Sequence, residues 1–179
     1  MSQKSLVVFT RKSKESLIRK GGTAAWALRP ELVREFEYVV CARNTSRDED
    51  DGSLPGPEPR GSAFLVGRIS TIEFLYNRNN RDRYIVNFDA VAEVDVPDFW
   101  DGSRNPVRYM LTEEVRRRGI DFGSLAFESL ENARRKLDPP EPRSDGTGAP
   151  ARLTLAQAKR GLAATFDVSP DAIEIVIRA

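Results

Sequence analysis

The densest set of chemically active side chains lies between two aromatic residues, Trp100 and Tyr109. Both offer flat faces on which a nucleobase could stack. Between them, Arg104 and Arg108 can bind a phosphate through paired hydrogen bonds, and the amide of Asn105 can recognise the edge of a base. The alternative is structural: the two aromatic residues fill the bottom of a small barrel and Arg104 pairs with an acid. The sequence leaves both interpretations open.

A second set of candidates lies nearer the N-terminus, where the sequence is strongly basic. Residues 1–30 carry seven basic side chains against one acidic side chain. Within this segment, Arg11, Lys12 and Arg29 are expected to hold phosphates. Trp26 follows a Gly-Gly turn in the same segment. It is either a lid on the hydrophobic core or a second wall on which a base stacks.

Charge is unevenly distributed, although the net charge is only +1. Segment 104–118 has five arginines against two acids, whereas 47–58 has five acids against one base, and 87–101 has five acids and no base. Such asymmetry can build a positive face beside a negative face. The alternative is a mixed, solvated surface, because the sequence does not indicate whether the basic segments meet in space. The arginines of the polar segment 76–83 either grip phosphates or only keep a turn soluble.

The sequence lacks histidine and has one cysteine, Cys41. It therefore lacks the commonest general base and metal ligand, and no Ser-His or Cys-His pair can form. A structural zinc site within one chain is excluded for the same reason. Cys41 lies in an apolar run, where a thiol is usually buried and inert. We expect a binding protein with no catalytic residue, no metal and no cofactor; an enzyme that uses only carboxylates and lysine is a further alternative.

Short apolar runs separated by polar turns predict a mixed α+β fold. The surest element is a β-hairpin of strands 63–75 and 84–96, joined by a polar turn at 76–83. Segment 44–62 holds three prolines, three glycines and an acidic cluster, which predict a long mobile loop. The other predicted elements are strands 5–10, 37–42 and 125–130, a helix after Ser13, and helical segments 30–33, 111–118 and 130–137.

The chain is expected to divide at a linker rich in proline and glycine, 138–152. The body, 1–137, precedes this linker, and a β-α-β tail, 153–179, follows it. The tail contains a predicted helix at 156–166 and an alternating strand at 173–177, but it is too short to bury a core of its own. It must therefore dock on the body, on another copy or on a partner.

Three features follow one another in a characteristic order along the body. They are Gly21-Gly22 before Trp26, the run Tyr38–Cys41, and residues 61–69 (GSAFLVGRI). This order, over residues 1–130, resembles the PUA-like superfamily, the small mixed barrels that include the EVE, ASCH and YTH domains. Segments 104–109 and 155–163 also resemble parts of a bacterial protein family. The resemblance implies a small, partly open β-barrel with a basic-rimmed pocket for RNA or for a modified or flipped base. Trp26 and Trp100 are the counterparts of that pocket's aromatic residues.

These observations predict a non-catalytic nucleic-acid-binding module whose partner is RNA or modified DNA. Trp26 and Trp100 would stack on a base, and Asn105 would recognise its edge. The alternative is a protein-interaction module, in which the tail strand 173–177 adds to a sheet edge of a partner or of a second copy. A single cysteine and the lack of a long apolar run favour the cytoplasm and no membrane association.

Overall fold

The computed structural model describes residues 4–45, 56–138, 158–162 and 173–174. Most of the predicted acidic loop and linker therefore falls outside the described residues. The first of two compact units, Met1–Pro140, contains the strands and helices that position the site. They are, in chain order, β1 (Lys4–Thr10), α1 (Lys14–Lys20), β2 (Gly22–Trp26), α2 (Pro30–Val33), β3 (Tyr38–Arg43), β4 (Ala63–Arg78), β5 (Arg81–Val96), β6 (Val107–Leu111), α3 (Thr112–Arg117), a 3-10 turn (Phe122–Ser124), β7 (Glu128–Ser129) and α4 (Leu130–Leu137).

The second compact unit, Glu141–Ala179, is described only in two short pieces. Residues 158–162 are helical and lie inside the helix predicted at 156–166. Residues 173–174 have no regular secondary structure, and the rest of the strand predicted there lies outside the described residues. The docking of the tail therefore stays a prediction.

In the described residues the strands form one seven-stranded sheet with the order β2-β5-β4-β3-β1-β6, and β7 pairs with β5. β1 and β3 are parallel, and the other described pairs are antiparallel. The predicted α+β class is therefore confirmed. No described ladder joins the edge strands β2 and β6, so the sheet is open and is not closed into a barrel. Across the described residues, no helix has the length and apolar character needed to cross a bilayer.

The short helices begin and end at capping residues that can be identified in the sequence. The Ser13 hydroxyl accepts a 3.1 Å hydrogen bond from the Ser16 N–H at the start of α1, and Gly21 ends that helix with a φ of 72°. The Ser129 hydroxyl accepts a 3.3 Å hydrogen bond from the Asn132 N–H at the start of α4. Capping by serine and a left-handed glycine after the helix are short-range effects, which is why these helices could be predicted.

Both faces of β1, which lies between β3 and the edge strand β6, are buried. Leu6 and Val8 pack into one apolar cluster, whereas Val7 and Phe9 pack into a second cluster on the opposite face. This explains why the strand has a continuous apolar run instead of an alternating pattern. In the neighbouring β3, burial raises the pKa of the Cys41 thiol to about 12, so the thiol is protonated at neutral pH.

The prediction of a polar turn at 76–83 was wrong, because the two strands of the hairpin continue through this segment. Only Asn79 and Asn80 form the turn, with φ angles of 54° and 56°. A two-residue turn with positive φ angles matches the twist of antiparallel strands. The strand ends could not be recognised because both of their faces are exposed, so no apolar alternation marks them. β2 and β6 were also missed, since each has only five residues, whereas β7 lies inside the strand predicted at 125–130.

The pairing of β4 with β5 shifts between Arg68 and Ile69, directly after Gly67. Gly67 itself is required because it has no side chain. A Cβ at this position would lie 2.6 Å from the ring of Phe88, so the two strands can pack only with no side chain here. Gly67 therefore marks a close approach of β4 to the Phe88 ring of β5, beside an irregularity in the pairing of these two strands.

Beyond Arg68 the hairpin extends past β3, although β5 still pairs with β2 as far as Tyr84, and we call residues 70–84 the arm. β3 pairs with β4 only as far as Arg68, so the outer edge of β4 along the arm has no strand partner in the described part of the chain. The arm also exposes three consecutive large hydrophobic side chains, because Phe74, Leu75 and Tyr76 are 58%, 41% and 46% exposed. An open edge that carries exposed apolar side chains is a surface suited to strand pairing.

Candidate nucleic-acid interface

The two edges of the open sheet line the same pair of hollows. Trp26, at the end of β2, lines the first hollow, and the next residue, Ala27, lines the second. Near the other edge, just before β6, Arg104 lines the first hollow and Asn105 lines the second. The sheet therefore curves until its unpaired edges approach each other, and the candidate site occupies the gap between them.

The first hollow, which we call the cationic cavity, has a volume of about 530 Å³. Its polar and charged lining residues are Arg11, Lys12, Arg60, Arg104, Thr10, Asn44 and Ser103. Aspartate and glutamate are absent from the described residues that line it. Cationic side chains that line a cavity favour an anionic ligand.

The second hollow, which we call the arm groove, adjoins the cavity and has a volume of about 1010 Å³. The arm forms one part of its lining, and residues near the two sheet edges form the rest. Its charged and aromatic lining residues are Lys4, Arg29, Arg81, Arg108, Asp82, Tyr84 and Tyr109. The groove is therefore cationic as well, with one carboxylate among the described lining residues.

A buried arginine, Arg43, holds part of the backbone that lines the cationic cavity. The Arg43 side chain is fully buried and forms an ion pair with Glu58 in which Nη2 lies 2.6 Å from Oε2. Its Nη1 donates to the backbone carbonyls of Arg11 (3.2 Å) and Lys12 (2.7 Å). Its guanidinium also lies 4.0 Å from the centre of the Phe64 ring. Arg43 thus holds in place the chain segment that supplies two of the cavity's cations.

A stack of aromatic rings supports a third cation of the cavity. The rings of Trp100 and Phe9 are parallel, with centroids 4.7 Å apart and planes inclined by 7°. The guanidinium of Arg60 lies 5.0 Å from the centre of the Phe9 ring, and Nη1 of Arg60 donates to Oδ1 of Asn44 at 3.1 Å. Because Asn44 is neutral, this hydrogen bond orients the guanidinium without cancelling its charge.

In the arm groove, Oη of Tyr109 accepts a 2.8 Å hydrogen bond from the backbone N–H of Arg29, which joins the segment after β2 to β6. Arg108 forms an ion pair with Asp101, in which Nη1 lies 2.6 Å from Oδ2. Burial raises the pKa of Asp101, but the hydrogen bond from the Ser103 N–H and the charge of Arg108 outweigh it, so the net shift is downward. The ionised carboxylate therefore neutralises part of the charge of Arg108.

The nine predicted binding residues are divided between the two hollows. The cationic cavity takes Arg11, Lys12, Trp26 and Arg104, the arm groove takes Arg29, Asn105, Arg108 and Tyr109, and Trp100 supports Phe9. Trp26 is only 9% exposed, and its indole N–H donates to the Thr23 hydroxyl at 3.0 Å. Oδ1 of Asn105 accepts a 3.2 Å hydrogen bond from the Val107 N–H, which engages its acceptor with the backbone.

Three residues of this site, Lys4, Arg43 and Arg60, were missed by the sequence analysis, and Arg81 was left open between a phosphate contact and a soluble turn. Lys4, Arg60 and Arg81 line the hollows, and Arg43 positions the backbone of Arg11. Arg60 follows a proline-rich loop and Arg81 lies in a polar hairpin, where basic residues usually serve only solubility. Only the pairing of distant strands brings these side chains together, so no local pattern could have identified them.

No protein-family model, no curated protein and no solved structure matches this chain. Across the described ranges, no three metal-ligating side chains of the types His, Cys, Asp and Glu converge. The function is therefore argued from the geometry of the cationic cavity and the arm groove.

Proposed function

We propose that this chain is a nucleic-acid-binding module without catalytic activity, which holds the backbone of a single strand of RNA or of locally opened DNA. The observation that carries this proposal is the convergence of eight cationic side chains, from several separate segments, on two adjoining hollows. Among the described lining residues, only Asp82 is a carboxylate. Contacts from arginine and lysine to phosphates supply most of the affinity of nucleic-acid-binding proteins.

A single strand fits these hollows better than a duplex does. The cationic cavity, at about 530 Å³, lies within the roughly 300–1,000 Å³ range of small-ligand pockets, which is too small for a double helix. Tyr84 and Tyr109 are half-buried in the arm groove and supply aromatic surface beside the cations. Aromatic side chains next to cations are typical of proteins that bind single strands.

We also propose that the open sheet corresponds to the small, partly open PUA-like barrel that the sequence resemblance implies. Two features support this assignment. The first is the parallel pairing of β1 with β3 in an otherwise antiparallel sheet. The second is the approach of the edge strands β2 and β6 across the same hollows. Under this proposal the nucleic acid occupies the opening of the barrel.

A fluorescently labelled single-stranded oligonucleotide should bind the full chain with an affinity that falls steeply as salt rises. Four phosphate contacts correspond to a slope of about −2.8 for log affinity against log salt, so a change from about 50 to about 200 mM NaCl should weaken binding roughly fifty-fold. Fluorescence anisotropy with RNA, single-stranded DNA and modified duplex DNA measures this effect, with tryptophan emission as a second readout. Absence of binding to all of them at low salt would overturn the proposal.

A substitution in the arm groove tests whether the nucleic acid contacts this groove. Arg29→Ala should reduce the magnitude of the salt slope by about 0.7, the contribution of one phosphate contact. The interaction of the Arg29 backbone with Tyr109 is retained in this variant, because it does not involve the side chain. Arg117→Ala is the matched control, since Arg117 is exposed on α3 and lines neither hollow. An equal effect of the two substitutions would indicate non-specific attraction.

The arm favours a second candidate function, which is interaction between copies of this chain through strand addition. The outer edge of β4 is open along the arm, and residues 73–78 are self-complementary when two copies are aligned antiparallel. In that alignment the apolar side chains Phe74, Leu75 and Tyr76 of the two copies meet, and Glu73 of each copy lies toward the Arg78 end of the other. Apolar pairs then occupy the centre, and opposite charges occupy the two ends.

The second candidate function predicts a dimer that dissociates when one charged side chain is introduced into the arm. Leu75→Lys should convert a concentration-dependent dimer into a monomer, because the lysine would be buried opposite an apolar side chain. Sedimentation equilibrium over a range of concentrations measures this change. Leu111→Lys is the control, since Leu111 is 38% exposed but lies outside the arm, and it should leave the mass unchanged. A wild-type chain that stays monomeric at all concentrations would eliminate this candidate.

A further inference from the structure

We propose that the outer end of the arm binds the major groove of duplex DNA next to the single strand that the two hollows hold. This inference rests on the proposed function, because it names the substrate class, a junction between single-stranded and double-stranded DNA. The part of the arm concerned is residues 76–83, which we call the arm tip. β3 pairs with β4 only as far as Arg68, and β2 pairs with β5 only as far as Tyr84. In the described part of the chain, the arm tip is therefore a two-stranded ribbon that no other strand flanks.

The three arginines of the arm tip lie on one face of this ribbon, which we call the cationic face. Arg78 pairs with Arg81, and Arg83 lies two residues after Arg81 on the same strand. Directly opposite residues of antiparallel strands share a face, as do residues two apart on one strand. Asn77 and Asp82 point to the other face, where Nδ2 of Asn77 donates to Oδ1 of Asp82 at 2.8 Å. The only carboxylate of residues 76–83 is therefore turned away from the cationic face.

The arginines of the cationic face are available to a ligand. Arg78 and Arg81 are exposed, and Arg83 is half-buried. Among the residues that the structure describes, none forms a side-chain hydrogen bond or an ion pair with these three guanidinium groups. Each group has five N–H donors in a planar fork. A nucleic acid that binds this face therefore displaces no internal carboxylate.

The position of the cationic face relative to the arm groove fits a junction. Arg81 lines the groove, whereas Arg78 and Arg83 line neither hollow. The cationic face therefore begins at the groove and continues to the end of the arm. A single strand that leaves the groove along the arm meets this face, and the duplex from which the strand separates can lie against it.

The dimensions of the arm tip favour duplex DNA over duplex RNA. Its three cross-strand pairs span about 10 Å, and strands in a sheet lie about 4.8 Å apart. The major groove of B-form DNA is about 12 Å wide and admits a two-stranded ribbon, in which arginine binds O6 and N7 of guanine or the phosphates beside the groove. The major groove of A-form RNA is too narrow for side chains to read. The cationic face therefore suits the DNA form of the proposed substrate.

The test compares three fluorescently labelled probes that share one single-stranded DNA tail: the tail alone, the tail joined to a DNA duplex, and the tail joined to an RNA duplex. We expect the full chain to bind the tailed DNA duplex at least about tenfold more tightly than the tail alone, the factor that one charge-assisted hydrogen bond supplies. The tailed RNA duplex should bind no more tightly than the tail. The double substitution of Arg78→Ala and Arg83→Ala should remove most of the preference for the DNA duplex and leave the affinity for the tail unchanged.

The control variant removes the same charge from the arm groove. Arg29→Ala should weaken all three probes by one common factor and leave the preference for the DNA duplex unchanged. If the tail alone binds as tightly as the tailed DNA duplex, if the double variant keeps the preference, or if the RNA duplex is equally preferred, the inference is overturned and the proposed function stands. If no probe binds, the proposed function itself fails. Arg78 is exposed, so Arg78→Ala alone decides the question even if the double variant does not fold.

Discussion

Arg43→Met is expected to lower the free energy of unfolding by about 3–5 kcal/mol, the usual cost of removing one partner from a buried ion pair. The methionine would fill much of the space but would supply no hydrogen-bond donor. Glu58, whose side chain is 19% exposed, would lose its cation, and the carbonyls of Arg11 and Lys12 would lose their donor. Urea denaturation followed by far-UV circular dichroism measures the change. Oligonucleotide binding should also weaken, because the segment that lines the cavity is no longer held.

A surface ion pair in the same sheet provides the matched control. Arg68 pairs with Asp89 at 2.7 Å, but the two side chains are 47% and 50% exposed. Arg68→Met removes the same functional group from a solvated position, so its cost should not exceed about 1 kcal/mol. If Arg43→Met also costs less than this, the buried network does not stabilise the fold and another contact must hold the Arg11–Lys12 segment.

Trp26→Ala should lower the free energy of unfolding by about 3–5 kcal/mol, as the truncation of a buried aromatic residue usually does. Trp26 packs in the apolar cluster with Leu6 and Phe88, so the substitution leaves a cavity in the core. The prediction separates the two roles that the sequence left open for this residue. A lid on the core is needed for stability, whereas a stacking wall is needed for binding.

Removing the partner of the Trp26 indole tests the same role without creating a large cavity. Thr23→Val keeps the shape of the side chain but deletes the hydroxyl that accepts the 3.0 Å hydrogen bond. A buried N–H without an acceptor costs about 1–3 kcal/mol. The opposite result for Trp26→Ala, unchanged stability with loss of oligonucleotide binding, would show that Trp26 contacts the nucleic acid and is not a lid.

Local elements could be predicted from the sequence where their causes act over a few residues. Ser13 and Gly21 delimit α1, and the apolar run of β1 indicates a strand buried on both faces. The hairpin was also predicted, but not the length of its strands. Between Glu73 and Asp82 the strands are held by cross-strand pairing and not by burial of one face, so the hydrophobic pattern contains no information about them.

The candidate site could be predicted only in part, because its geometry depends on pairings between distant segments. Arg104 and Trp26 are conspicuous in the sequence, but their meeting in one cavity follows from the order of the whole sheet. The same reasoning explains why Asn105 was grouped with Arg104, although the two adjacent residues line different hollows. Arg43 was not recognised, since nothing local shows that a buried arginine has a carboxylate and two carbonyls within reach.

The position of β1 between β3 and β6 has a consequence for how the chain is made. β1 is synthesised before the other strands of this sheet, yet one of its two neighbours is β6, with Leu6 paired to Tyr109 about 100 residues later. At translation rates of roughly 5–20 residues per second, one edge of this apolar strand waits on the order of ten seconds for its partner. A ribosome that stalls before β6 therefore leaves one edge of this apolar strand unpaired and able to associate with other chains. Productive folding then depends on uninterrupted synthesis or on chaperones that cover this edge.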